Sequence, residues 1–368
     1  MRHLQTLVVS TSYPRQADDW RGRFIADLVA ALPGEGVSAR LWAPPGSLPE
    51  GVTAAATKEE RDWLDRLATA GGIASRLRVG PIAALPAAYG LLRRLRQVYC
   101  REAFDVVHVN WLQNAIPLIG TRHPAVMGVL GSDFGLLRLP GMATLIKSVL
   151  AGRRAILAPN APWMGPRLQA LFGNVATVRP LPFGVAPEWF VVERRPPPQG
   201  APWLAVTRVT KAKIGDLFEW GAGLFDARRP LVLLGPMQED LSLPSWVDYR
   251  GATHPEALRN VWFPQAAGLI TLSRHDEGRP QVMIEAMAAG LPIIASDLPA
   301  HRDLVSDDAC GRLVSSRESL SAALDDLSAP ARNIATGAAA REKMRREVGD
   351  WHAAAARFRA AYHELTDA

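Results

Sequence analysis

The chain is poor in cysteine, with only Cys100 and Cys310 among 368 residues. Two cysteines cannot build a disulfide framework, and such usage suits a reducing compartment. Cys-x-x-Cys and His-Glu-x-x-His spacings are both missing, which removes the common zinc signatures. No uncharged apolar run reaches the ~18 residues that a membrane-spanning helix needs. The nearest, Val106–Thr121, is interrupted by Asn110, Gln113, Asn114 and Pro117. The apolar run within Met1–Val9 is too short for a secretory leader and has no small-residue cleavage site. The expectation is a cytoplasmic protein, or one peripheral on the inner face of the cell membrane. Ribonucleoprotein, zinc-finger and helix-turn-helix signatures are also lacking, so no nucleic-acid partner is expected.

What is present is ordinary globular material, 48% hydrophobic and 21% charged, long enough for two domains. Charge is uneven. Residues 1–185 hold 21 Lys and Arg against 12 Asp and Glu, whereas the remainder holds 21 against 24. A basic half implies an anionic partner, and a phosphate-bearing substrate or an anionic membrane face fits the dispersed arginines better than nucleic acid.

Short apolar β-like runs alternate with helical segments, the pattern of a parallel sheet covered by helices. Strands are expected at 7–10, 37–42, 105–109, 125–130, 155–158 and 175–180. The alternation resumes at 204–207 and continues at 231–234, 246–249, 268–272 and 292–296. Between the two series, Arg194-Arg195-Pro196-Pro197-Pro198-Gln199-Gly200 reads as a linker. The expected division is 1–186, a Pro-rich linker at 187–202, a second domain at 203–350, and a last helix at 351–368 that crosses back to the first. The fold class is α/β, two Rossmann-like domains facing across a deep cleft. Ligands of such sheets sit at the carboxyl ends of the strands.

The most informative segment is SRHDEGRPQVMIEAMAAGLPIIAS, residues 273–296. Glu277 and Glu285 stand eight positions apart; Pro280 sits where a helix begins and Gly290 where it stops. A helix N-terminus beside a glycine offers free N–H groups and a positive dipole end, suited to a diphosphate. Glu277 stands just before that terminus and can accept from sugar hydroxyls. Glu285, about 6 Å along the axis, is placed to accept from the two hydroxyls of a ribose.

This block resembles the E-x7-E signature of the retaining glycosyltransferases of family 4, in the GT-B class. Similar stretches elsewhere are STSYPRQADDWRGRF at 10–24, GVLGSD at 128–133, LPFGVAPEWF at 181–190, and the Arg208 and Lys213 pair in TRVTKAKIGD. The resemblance implies a retaining transferase that takes a UDP- or GDP-sugar donor. Arg208 and Lys213 would neutralise the leaving diphosphate and Glu277 would position the donor sugar. Glu285 would hold the ribose, with Gly278, Arg279, Pro280 and Gln281 completing the phosphate site. No Asp-x-Asp pair exists, so the metal–diphosphate motif of the other structural class is absent and no metal or further cofactor is expected.

In the first half, Gly22 is the glycine that would let the backbone approach a phosphate. Leu130 stands where the family commonly has a histidine, which puts a histidine-assisted step in doubt. Asp133 remains as an acceptor-orienting carboxylate, with helix capping as the alternative. His108 reads either as a cleft residue or as a hydrogen-bonded core histidine, and Trp111 as a stacking surface for an acceptor sugar. Residues 87–101 carry one apolar stripe, Ala88, Leu91, Leu92, Leu95, Val98 and Tyr99, with Arg93, Arg94, Arg96 and Arg101 largely outside it. That helix either packs on the sheet or meets an anionic bilayer. The acceptor implied is a cell-surface glycan, a lipid-linked oligosaccharide or a lipopolysaccharide core. Two rivals stay open: a sugar-nucleotide epimerase or phosphorylase on the same fold, and a non-catalytic nucleotide-sugar-binding component of a synthase complex.

Overall fold

A computed structural model describes all residues except 1, 2, 17, 18, 20, 74–79, 276, 307 and 368. The chain forms two compact units, one of residues 1–184 with 351–368, the other of residues 185–350.

In the first unit the apolar runs become a seven-stranded parallel sheet. Its strands are β1 (Leu4–Val9), β2 (Val37–Trp42), β3 (Val52–Ala54), β4 (Val106–Asn110), β5 (Ala125–Val129), β6 (Ala155–Pro159) and β7 (Thr177–Val178). They run in the order β3-β2-β1-β4-β5-β6-β7. β4, β5 and β6 are buried at every position, as a sheet covered on both faces requires. The strand order reverses direction between β1 and β4, so the loops leaving these two strands diverge and open a crevice.

The second unit holds a six-stranded parallel sheet of β8 (Trp203–Val206), β9 (Leu231–Leu234), β10 (Val247–Gly251), β11 (Gly268–Thr271), β12 (Ile293–Ser296) and β13 (Gly311–Val314). Its order, β10-β9-β8-β11-β12-β13, reverses between β8 and β11. The Pro-rich stretch groups with this unit. Trp189 and Val192 are buried in its core, and Arg194 donates to the carbonyls of Gly290 and Ala266, both at 2.6 Å.

The last helix, Trp351–Thr366, groups with the first unit. Trp351, Ala354, Ala355, Phe358, Ala361, Tyr362 and Leu365 form its buried face at helical spacing. His108 on β4 proves to be a core residue. It is fully buried, its Nδ1 lies 2.7 Å from the Tyr362 hydroxyl, and its ring stacks on Phe358 at 4.8 Å. Of its two possible settings the interior wins, because the closing helix covers it.

Burial holds the His108 imidazole down at about 3, so the native state refuses a proton that the unfolded chain accepts below pH ~6.5. Stability therefore falls as pH drops through that window. Between pH 7 and pH 5 this one residue should remove about 2 kcal/mol. The His108→Asn variant keeps a hydrogen-bonding group but cannot titrate. Urea unfolding should show a smaller loss of stability for the variant between those two pH values; equal losses would mean that His108 is charged in the native state.

Candidate functional site

The reversal point of the second sheet gathers most of the sequence-flagged residues. The loop after β8 carries Arg208 and Lys213, and the loop after the neighbouring β11 carries Glu277. Lys213 lies in a one-turn helix, Lys211–Ile214, started by Thr210, whose hydroxyl accepts from the Lys213 N–H at 3.2 Å. Two backbone bonds tie the loops together: Asp216 N–H donates to Leu272 O at 3.1 Å, and Arg274 N–H to Ala212 O at 2.8 Å. So close an approach needs Gly215, where φ is +55° and a Cβ would lie 1.9 Å from the Leu272 carbonyl oxygen. Arg274 also pairs with Asp216 across the join.

This join brings together two side chains that are 64 positions apart in sequence. The Lys213 ammonium donates to Oε1 of Glu277, with the side chains only 15% and 12% exposed. The Ser273 hydroxyl lies 3.5 Å from the same oxygen. Among the described residues both contacts fall on Oε1, which leaves Oε2 to accept from a ligand. The ammonium likewise keeps two of its three hydrogens for other acceptors.

A buried polar chain lies behind Glu277, built from Ser273 and Ser296 at the two ends of the informative segment and from His301 five residues beyond it. Ser273 Oγ accepts from the His275 N–H at 3.0 Å, and the Ser296 hydroxyl donates to the Ser273 carbonyl at 2.7 Å. His301 Nδ1 donates to the Ser296 carbonyl at 2.8 Å. A carbonyl only accepts, so Nδ1 carries the hydrogen and Nε2 of the neutral ring is the lone-pair side. His301 is fully buried, which holds its pKa below the ordinary value, while the charges of Glu277 and Lys213 push it in opposite directions.

Beyond Glu277 the chain turns through buried Gly278, half-buried Arg279 and buried Pro280 into the helix Gln281–Ala288. Among the described residues no side chain caps the N-terminus of this helix. Its positive dipole end favours negative charge nearby. Glu285 sits one turn in and is half-buried. Arg279 has its pKa lowered by burial, with Asp303 and Glu347 near enough to oppose the shift. Burial outweighs them, and the Arg279 Nε–H is buried without a hydrogen-bond partner among the described residues. Arg208 lies two residues past β8, also half-buried.

Two flagged residues belong to the other unit. Gly22, at φ +66°, starts the helix Arg23–Ala31, and a Cβ there would lie 2.5 Å from the Ser12 backbone. Its glycine character is thus required by chain packing. Asp133 is 2% exposed and accepts from the backbone N–H groups of Leu130 at 2.9 Å and Leu112 at 3.2 Å. Burial pushes its carboxyl up to about 6 despite these bonds. Asp133 ties the loop after β5 to the loop after β4. Of the neighbouring first-loop residues, Asp18 and Trp20 lie outside the described set, as does Asp276 beside Glu277.

Residues 253–343 match the family described as Glycosyl transferases group 1. The match lies wholly within the second unit. It contains Ser273, Glu277, Glu285, Ser296 and His301. Solved structures align over essentially the whole chain and show the GT-B fold. The sucrose-phosphate synthase of Thermosynechococcus elongatus has a TM-score of 0.71 at 17% identity, covering 98% of this chain and 99% of that one. A UDP-forming α,α-trehalose-phosphate synthase from Burkholderia xenovorans gives 0.71 at 14%, covering both chains completely. HepE of Anabaena, solved with UDP and glucose, gives 0.63 at 13%, covering 99% and 100%. No curated protein matches by sequence.

Lys213 and Glu277 are mutually paired and mostly buried, so their energies should not add. Lys213→Ala and Glu277→Ala should each destabilise the second unit by leaving a half-buried charge unpaired. The double variant should cost less than the sum of the two, with a coupling of about 1–2 kcal/mol in urea titrations. Strict additivity would show that the pair does not form in solution.

Proposed function

We propose that this protein is a retaining glycosyltransferase that moves a sugar from a nucleotide-sugar donor to a cell-surface glycan acceptor. The observation that carries the reading is the Lys213–Glu277 pair, set at the reversal point of the second sheet before an uncapped helix N-terminus.

The chemistry follows from what those groups offer. Departure of a nucleoside diphosphate builds negative charge on the β-phosphate oxygens as the anomeric bond lengthens. In this reading Lys213, Arg208 and the positive end of the helix Gln281–Ala288 stabilise that charge, the kind of preorganised stabilisation that speeds a chemical step most. In this reading the two side-chain cations serve where other transferases use a metal ion. Glu277 accepts from donor-sugar hydroxyls through Oε2 and Glu285 accepts from the ribose. Retention follows if the acceptor enters on the face that the diphosphate leaves, with a leaving phosphate oxygen taking the acceptor proton. Uridine is the first base to test, because HepE has been solved with UDP-glucose and the trehalose-6-phosphate protein of E. coli with UDP-2-fluoro glucose.

The first unit is assigned to the acceptor. Trp111, directly after β4 at that sheet's own reversal point, has φ +66° and is the non-glycine residue in the left-handed region among the described residues. Such strain persists where surrounding structure enforces it, often at functional positions. Phe24 braces the indole edge-on at 6.4 Å. The half-buried ring is a stacking surface for a sugar, and the basic charge of this unit suits a phosphorylated or lipid-linked glycan.

Purified protein should melt at a higher temperature with one class of nucleotide-sugar and no added metal. Glu285→Ala should weaken donor binding about tenfold or more. Arg208→Ala should bind the donor nearly as well but turn over about a hundredfold more slowly. The product should keep the donor's anomeric configuration by NMR. Unchanged steady-state constants in both variants would overturn the site assignment, and donor conversion without acceptor would replace transfer by epimerisation.

A further inference from the structure

The helix Pro81–Arg101 has two faces with opposite fates. On one, Ala84, Leu91, Leu95, Val98 and Tyr99 are buried in the first unit, and the Tyr99 hydroxyl donates to the Asn114 carbonyl at 2.7 Å. This is most of the apolar stripe visible in the sequence, and it packs on the sheet. On the other face, Ile82, Leu85 and Tyr89 are 82%, 63% and 71% exposed. Their spacing of three and four places them on one line, and they are three of the four most exposed large hydrophobic side chains among the described residues. Because the opposite face is anchored, the helix presents this line by construction.

The helix itself carries charge of one sign. From residue 81 to residue 101 the sequence holds four arginines and no Asp or Glu, while Glu59 and Glu60 of the helix Lys58–Thr69 lie near Arg93 and Arg94. Exposed Arg93 continues the apolar line by one turn. Arg94 lies over the Trp63 ring at 4.3 Å, and Arg96 donates to the carbonyls of Pro117 and Ile119. Apolar side chains beside cations match the boundary between acyl chains and acidic headgroups, where aromatic residues such as Tyr89 also reside. A second copy of the chain would bring like charges together. A nucleic acid would leave Ile82 and Leu85 in water.

We propose that the first half of this helix docks the protein on an anionic lipid surface, Ile82, Leu85 and Tyr89 entering the headgroup boundary and Arg93 meeting lipid phosphate. Neither signal alone anchors a protein firmly, and the surface supplies both. It brings the first unit to where a lipid-linked acceptor resides, yet docking does not depend on transfer.

The full-length protein should sediment with phosphatidylcholine vesicles containing phosphatidylglycerol, not with phosphatidylcholine alone, and should be released by salt. The I82S/L85S/Y89S variant should lose about tenfold or more in partitioning with no change in melting temperature or donor binding. Arg93→Glu should lose less and should flatten the salt dependence. No sedimentation with acidic vesicles, or equal sedimentation by the triple variant, would overturn the proposal. So would a wild-type dimer that the triple variant makes monomeric, or a preference for duplex nucleic acid over acidic vesicles. Vesicle binding by a protein that binds no donor would uphold docking and defeat the transferase reading, so the two fail separately.

Discussion

The site rests on the way one short helix, Gln281–Ala288, is held at its C-terminal end. Arg341 donates to the carbonyls of Ala288, Ala289 and Val192 at 3.0, 2.6 and 2.6 Å. Arg194 takes the carbonyls of Gly290 and Ala266 and reaches Asn333 Oδ1 at 3.2 Å. Two cations thus sit at the negative end of the helix dipole and satisfy acceptors that would otherwise be orphaned. Burial, with Arg341 close by, pulls Arg194 down to about 10, still protonated at any physiological pH. Such burial is costly, and the bonds to Gly290, Ala266 and Asn333 offset it only in part, because the Arg194 Nε–H is buried without a partner among the described residues. A helix fixed this firmly at its C-terminus has its uncapped N-terminus fixed as well.

The second constraint is the backbone join between the loops that leave β8 and β11. β8 and β11 are neighbours at the point where the strand order reverses, and the backbone bonds between the loops that leave them bring Lys213 and Glu277 together there. The Ser273–Ser296–His301 chain then fixes the floor under Glu277 by tying β12 to the β11 loop. The consequence is a carboxylate and an ammonium whose positions are set by backbone hydrogen bonds instead of by long flexible side chains. That rigidity is what an electrostatic catalyst needs, since donors that must reorganise during reaction lose their advantage.

Much of the architecture was legible because buried parallel strands are continuous apolar runs. Val37–Trp42 and Leu231–Leu234 coincide with the sequence expectation, and most others differ by a residue or two. β3 and β13 were not legible: three or four residues at a sheet edge, part polar, carry no periodicity. The glutamate block was legible from its glycine and proline punctuation. Arg194 was not, because an arginine beside three prolines reads as solvated linker until the partner carbonyls are seen. Nor was the inward commitment of Asp133, since a carboxylate just after a glycine looks the same whether it faces a ligand or two backbone amides.

Net charge and the candidate diphosphate site do not coincide in this chain. The unit carrying the candidate diphosphate site is the more acidic of the two, with 19 basic against 22 acidic residues over 185–350. Within it, Arg194 and Arg341 are spent on the unit's own carbonyls, while Lys213 and a helix terminus lie at the candidate site. Fields of this kind act over a few ångströms in partly buried surroundings, where screening is weak and position counts for more than total charge. The surplus of the first unit acts differently. Arginines spread over an exposed face attract extended anionic matter at longer range, and salt weakens that attraction. The same residue type therefore stands in two settings in one chain, buried against backbone carbonyls in the second unit and exposed on a helix face in the first.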